Sequence, residues 1–358
     1  MNTRVTEIRQ RNAFWQCVRG LCILAVVMIH CPSGIEYGAG TFPYTATLIL
    51  RQFINFPVAV FFFLAGYFTN PDRANKNYRT YVLVRGGYLL VPFCIWSTFY
   101  TVVSVIQSLA AEESVSWLKI IYRFVVGKAS TPFYYIVVLI QLTLLTPVLI
   151  KVIEHKGRVS KLLWFVTPAY LIYIYSFNII TGETPRLYET LFPAWFLFYY
   201  VGLWVKINGC EGIRSWGKLR YVAAGLVLSL IEAEILISIG CDASFATSQI
   251  KVSSFIYAGF LILWLIENEG SNSRKQEDPK ENNPIKHIGD RSYGIFYIHC
   301  FVLMFVRKFS SLLFEGIWIL NFIICFIMTA LLSVLAVDIV NVLAGKLKIE
   351  KALKWIGF

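Results

Sequence analysis

The chain has 358 residues, of which 57% are hydrophobic, 16% aromatic and only 15% charged, and its mean hydropathy is +0.62. A soluble surface draws roughly a quarter of its residues from Asp, Glu, Lys and Arg, so this composition excludes a water-soluble globule, a disordered chain and a disulfide scaffold. The net charge of +12 lies between apolar runs, where it sets topology rather than a nucleic-acid face.

A helix that crosses a hydrocarbon core needs about 17–25 apolar residues. Ten stretches meet or approach this: 14–33, 52–69, 81–106, 132–150, 161–179, 191–206, 219–239, 252–267, 292–307 and 317–341. They are long and unbroken rather than alternating, which excludes a porin-like barrel. The expected fold is therefore all-α and polytopic, one integral membrane domain over residues 1–358 with about ten transmembrane helices. The first stretch follows Arg4, Arg9 and Arg11, but Arg19 interrupts it and no small-residue cleavage site ends it, so it reads as a retained helix.

The segments between the stretches carry an uneven load of Lys and Arg. Those on the side of the two termini hold 23, and those on the opposite side hold 8. The positive-inside rule then places both termini in the cytoplasm. Within 107–131, Trp117, Ile120, Ile121, Phe124 and Val125 recur at helical spacing between Lys119 and Arg123, as in a helix on the outer membrane surface. The run 268–291 is the one strongly polar stretch, a cytoplasmic linker between helices 8 and 9. The eight cysteines form no CxxC pair and read as apolar fillers, with no metal site expected.

Ionisable groups inside spans cost at least ~2.5–3.5 kcal/mol and call for a reason. The first span holds two, Arg19 and His30. Their spacing of 11 positions is within about 20° of a whole number of turns and spans about 16 Å, so both share one helix face. Alone, Arg19 reads as a snorkelling anchor, and His30 as a histidine hydrogen-bonded between helices. Together they suit a long, thin donor whose phosphate end rests on arginine and whose reactive end meets a histidine of near-neutral pKa. After the second span, Arg73, Lys76, Arg79 and Arg85 make a basic entrance to the third, with Pro92 expected to kink it. That charge reads either as ordinary positive-inside bias or as an anion site.

Five motifs occur in order: RG leading to His30, then FFFLAGYF, an Arg-bearing segment before Pro92, PFYYIVVLIQLTLLTP, and late in the chain RSYGIFYIH. In this order the chain resembles membrane-bound acyltransferase family 3, whose members mostly O-acylate carbohydrates. The resemblance covers nearly the whole chain. It implies His30 as the catalytic histidine with Arg19 as its companion, and Arg85 near the acyl donor. It also implies His299 and Tyr293 lining the site from the ninth helix. Three positions depart from the family pattern: Gln16 stands where an Asp is usual, Ala65-Gly66 stands where SG is usual, and Tyr88 replaces the second of two arginines, with Arg79 as a substitute.

The resemblance implies a cytoplasmic acyl-CoA donor, most often acetyl-CoA, used without a permanently bound cofactor. The acceptor is a hydroxyl of a cell-surface polysaccharide or its lipid-linked precursor, and the setting is a bacterial inner membrane. His30 acts either as general base toward the acceptor or as an acyl-carrying nucleophile. Glu36, Glu232 and Glu234 are candidates to fix its imidazole, and Glu36 also to bind acceptor. Phe42, Tyr44, Trp117, Tyr188 and Trp195 suit either sugar stacking or an interfacial aromatic belt. Asp338 is expected to pair with a lysine of the tail, and His155 and His287 to be solvated. The competing reading is a secondary transporter or flippase for a glycan or small anionic solute. Lack of an internal repeat and the shared Arg19–His30 face favour the enzyme.

Overall fold

The computed structural model describes residues 13–272, 283–314 and 316–358. The N-terminal arginines and the middle of the polar run 268–291 lie outside the described residues. The described chain is helical throughout, with no strand.

Helix α1 (Ala13–His30) is apolar almost all round and sits in the core, with Trp15, Cys22, Ile23 and Val27 almost fully buried. The second span differs from expectation. It begins at residue 42 rather than 52, as α2 (Phe42–Ile54) followed by α3 (Pro57–Tyr67). The Thr41 side chain caps α2 by accepting from Tyr44 N, and Pro57 ends the continuous ladder. Arg51 lowers local hydropathy and so masks this helix in the sequence. In the fold its charge is turned inward onto backbone carbonyls, donating to Ile29 O (2.8 Å) and Thr247 O (3.5 Å).

Helix α4 (Tyr78–Ala110) is one continuous helix of 33 residues, about 50 Å along its path, with Pro92 inside it. Proline removes the bond that would reach the carbonyl of Tyr88. The Tyr293 hydroxyl donates to that carbonyl instead, at 3.2 Å. The surface helix α5 (Trp117–Val125) forms as its spacing predicts. Phe124 turns inward onto Phe93, while Trp117, Leu118, Ile121 and Val125 stay exposed. Next come α6 (Tyr134–His155) and α7 (Val166–Thr181).

Among the described residues, nine segments are long and apolar enough to cross a membrane. The expected sixth span, 191–206, instead gives a 13-residue helix, α8 (Phe196–Asn208), preceded by a 3₁₀ turn at Phe192–Ala194 and ended at Gly209. Its apolarity serves the core. A Cβ on Gly202 would lie 2.2 Å from Phe63 O, and one on Gly66 would lie 2.3 Å from Tyr199 O, so α3 and α8 touch backbone to backbone.

The chain continues through α9 (Leu219–Ser238), α10 (Val252–Asn272), α11 (Pro284–Asp290), α12 (Ser292–Leu313), α13 (Trp318–Leu347) and α14 (Glu350–Ile356). The roof segment 243–251 is fastened by a buried cluster, in which Lys251 Nζ and Ser229 Oγ both donate to Gln52 Oε1 at 2.8 Å. At the end of the bundle that carries the termini, two expectations are corrected. Asp338 pairs with Arg291 and His287, each at 2.8 Å, rather than with a tail lysine, so His287 is not simply solvated. This clasp ties the start of α12 and the adjoining α11 to α13.

Candidate active site

Two cavities meet at His30. The first, about 520 Å³, is lined by Arg19, Arg85, Ser292 and Tyr293, by the apolar side chains of Ile23, Val26 and Phe61, and by His30. Beyond His30 its wall is polar, with Arg51, Tyr188, Glu189 and Ser248. The second, about 650 Å³, opens on the far side of His30 between the Pro32–Tyr37 turn, α12 and α13. His30 and Thr131 line both. The first cavity falls in the size range of a small-molecule or cofactor site.

His30 is the last residue of α1. Its ring faces His299 with centroids 5.4 Å apart. His299 is fully buried, and its Nδ1 lies 2.9 Å from Ile295 O, as a donor to that carbonyl. Its Nε2 is then bare of hydrogen and lies 3.4 Å from Cys300 Sγ. Donor atoms of His30, His299 and Cys300 fall within 4.8 Å of one another. Two imidazoles and a thiol are a donor set that suits Zn²⁺. Nothing in the spacing of the cysteines signalled that cluster.

The sequence candidates are distributed as follows. Arg19, His30, Arg85 and Tyr293 line the first cavity, Glu36 lines the second, and His299 stands beside His30. Arg79 is exposed on the first turn of α4 and is not part of the lining. Glu232 accepts from Ser253 N and from the Tyr175 hydroxyl, and Glu234 is exposed. Among the described residues, no carboxylate reaches the His30 ring within hydrogen-bond distance. The one acid in the lining of the first cavity, among the described residues, is Glu189, in the loop before α8. Burial raises its carboxyl pKa above the usual range, against the opposing pull of Lys128.

The chain matches the acyltransferase domain of acyltransferase family 3 over residues 12–338. It belongs to that family. Comparison with curated proteins and with solved structures gave no match. The protein is thus a membrane acyltransferase, and the structure shows what surrounds the positions where it departs from the family pattern. At Ala65, the backbone carbonyl accepts from Arg85 Nη2 at 3.3 Å, which holds that guanidinium at the cavity mouth. At Tyr88, where an arginine is usual, the ring stacks on Trp355 at 4.6 Å, so this acyltransferase uses the position for packing. The Gln16 amide oxygen, on the helix that carries Arg19, is buried with no hydrogen-bond partner among the described residues.

The lining residues that escaped the sequence reading include Arg51, Thr131, Glu189 and Ser248. Arg51 alone left a trace, since it is the one basic residue between His30 and Arg73 and apolar runs flank it. The others sit in loops whose path only the fold supplies.

Proposed function

We propose that this acyltransferase moves an acetyl group from acetyl-CoA, bound from the cytoplasmic side, to a hydroxyl of a polysaccharide or its lipid-linked precursor on the other side. The membrane is the bacterial inner membrane. The observation that carries this reading is that His30 lines both cavities, one of which also reaches Arg19 and Arg85.

The donor's phosphates rest on Arg19 and Arg85 by charge-assisted bonds. Its pantetheine arm follows the apolar lining of Ile23, Val26 and Phe61, about 16 Å along α1, and brings the thioester to His30. The acceptor hydroxyl arrives through the second cavity. His30 takes the hydroxyl proton, and the oxygen attacks the thioester carbonyl. The tetrahedral intermediate collapses, the C–S bond breaks, and the proton passes from His30 to the CoA thiolate. Arg51 supplies the positive charge that the oxyanion needs. Two backbone carbonyls hold its guanidinium at the cavity wall, and several of its five N–H donors remain for a ligand.

The test is transfer of label from acetyl-CoA to membrane glycolipid by the purified protein and by His30→Ala. Label in glycan with the wild type, and none with the variant, is the expected result. Equal transfer by both would remove His30 from the mechanism.

A further inference from the structure

The second cavity carries charge that the reaction at His30 does not use. Its α12 wall is a single stripe at helical spacing: Cys300, Leu303, Met304, Arg307, Lys308 and Ser311. Arg307 and Lys308 make no ion pair and no side-chain hydrogen bond among the described residues. One carboxylate, Glu36, shares the wall with them and is likewise unpaired. The groove is therefore net positive, in a chain whose segments on this side hold few basic residues.

The opposite wall is built for a saccharide. Tyr37 contributes an exposed aromatic ring, and the buried Trp318 indole in the same lining is fixed by its Nε1, which donates to Pro32 O at 3.2 Å. Asn321 Oδ1 accepts from Ser310 Oγ at 2.6 Å, so the amide is oriented and its NH₂ is left for a ligand. An aromatic face, an oriented amide and hydroxyls are groups that hold sugar rings, and paired cations recognise carboxylate or phosphate.

We propose that this groove is the acceptor site and that the acceptor is an acidic glycan, whose negative group rests on Arg307 and Lys308 while a hydroxyl of another ring reaches His30. The identification rests on the transfer reaction proposed above. Arg307 follows His299 by eight residues, about 12 Å along α12. One sugar ring is too short to touch both ends, so the acceptor is an oligomer or a lipid-linked chain. The charge has two possible sources, an acidic sugar within the chain or the phosphate of its lipid carrier.

Three oligosaccharides of equal length separate these sources: one neutral, one containing uronate, and one neutral with an anomeric phosphate. Each is tested for equilibrium binding and as acceptor of labelled acetyl from acetyl-CoA. The expected result is a KM for one acidic acceptor about tenfold or more below that of the neutral one, an advantage that shrinks at high salt. The uronate chain having the advantage assigns the charge to the glycan, and the phosphorylated chain assigns it to the carrier. Arg307→Gln with Lys308→Gln should raise the KM for the acidic acceptor about tenfold, abolishing its advantage over the neutral one, while the KM for acetyl-CoA, whose cavity neither residue lines, stays as it was. Equal binding and equal KM for all three acceptors would overturn the proposal, as would an acidic advantage that survives the double substitution. Charge-dependent binding without any transfer would leave the acidic site standing and remove the transfer reading instead.

Discussion

His30 and His299 face each other with ring centroids 5.4 Å apart and planes inclined at 41°. They are not equivalent. His30 ends α1 and is reached from both cavities, whereas His299 is fully buried and bound through Nδ1 to its own helix. His30→Ala is therefore expected to lower kcat by about 10²–10⁴, the range of a general base. His299→Gln should cost about tenfold, since an amide keeps a polar group beside His30 without titrating. Single-turnover transfer from labelled acetyl-CoA measures both. A larger loss at His299 than at His30 would exchange the two assignments.

Arg19 and Arg85 lie at the opposite end of the same cavity, and neither is near the reacting carbonyl in the proposed pose. Replacing either by Gln should raise the KM for acetyl-CoA about tenfold and leave kcat nearly intact, because a phosphate contact is uniform binding. A donor lacking the nucleotide, acetyl-pantetheine, should be used equally by wild type and variants. Arg79→Gln is the control, being exposed and outside the lining, and is expected to change neither constant.

The sequence made the helical fold readable because membrane spans need long apolar runs, and that demand leaves little room for alternatives. It failed where a polar group is satisfied inside the protein rather than by water. Arg51 cut the second span short on paper, because hydropathy counts its charge and not the carbonyls of Ile29 and Thr247 that accept it. The 191–206 run erred the other way, since an apolar segment reads as lipid-facing even when, as in α8, it is buried against protein. Arg19 and His30 were legible because one helix carries both, so a spacing rule suffices. Thr131, Glu189 and Ser248 reach the same cavity from separate loops, and no local spacing encodes that meeting.

Arg51 is the proposed oxyanion donor. Arg51→Gln should lower kcat by about 10²–10³ with the KM for acetyl-CoA little changed, the pattern of an interaction made in the transition state. Arg51→Lys should restore part of kcat, since it keeps the charge and loses the planar fork. If the side chain served only to hold the roof at Thr247, KM for both substrates would rise together and lysine would give no recovery.

The Tyr293–Tyr88 contact tests how α4 passes Pro92 without breaking. Tyr293→Phe leaves the Tyr88 carbonyl without its donor, which should cost about 0.5–1.5 kcal/mol in unfolding experiments in detergent, the range of an ordinary hydrogen bond. In a Pro92→Ala background the helix can make its own bond to that carbonyl, so the same change should cost much less. A double-mutant cycle with no coupling between the two positions would show that the hydroxyl does not replace the lost helix bond.

Glu189 predicts the direction of a pH effect. Burial raises its carboxyl pKa in the folded protein above the unfolded value near 4.3. Between those two values the folded state binds more protons than the unfolded one, so stability falls as pH rises. The loss begins near the unfolded pKa and is complete above the folded one. Glu189→Gln removes the titrating group and should flatten this part of the profile, so that the variant's advantage in Tm grows from about pH 4 toward neutrality. Parallel Tm profiles for wild type and variant across that range would mean that the Glu189 carboxylate is as well solvated folded as unfolded. It would then be free to meet solvent or substrate at no cost from burial.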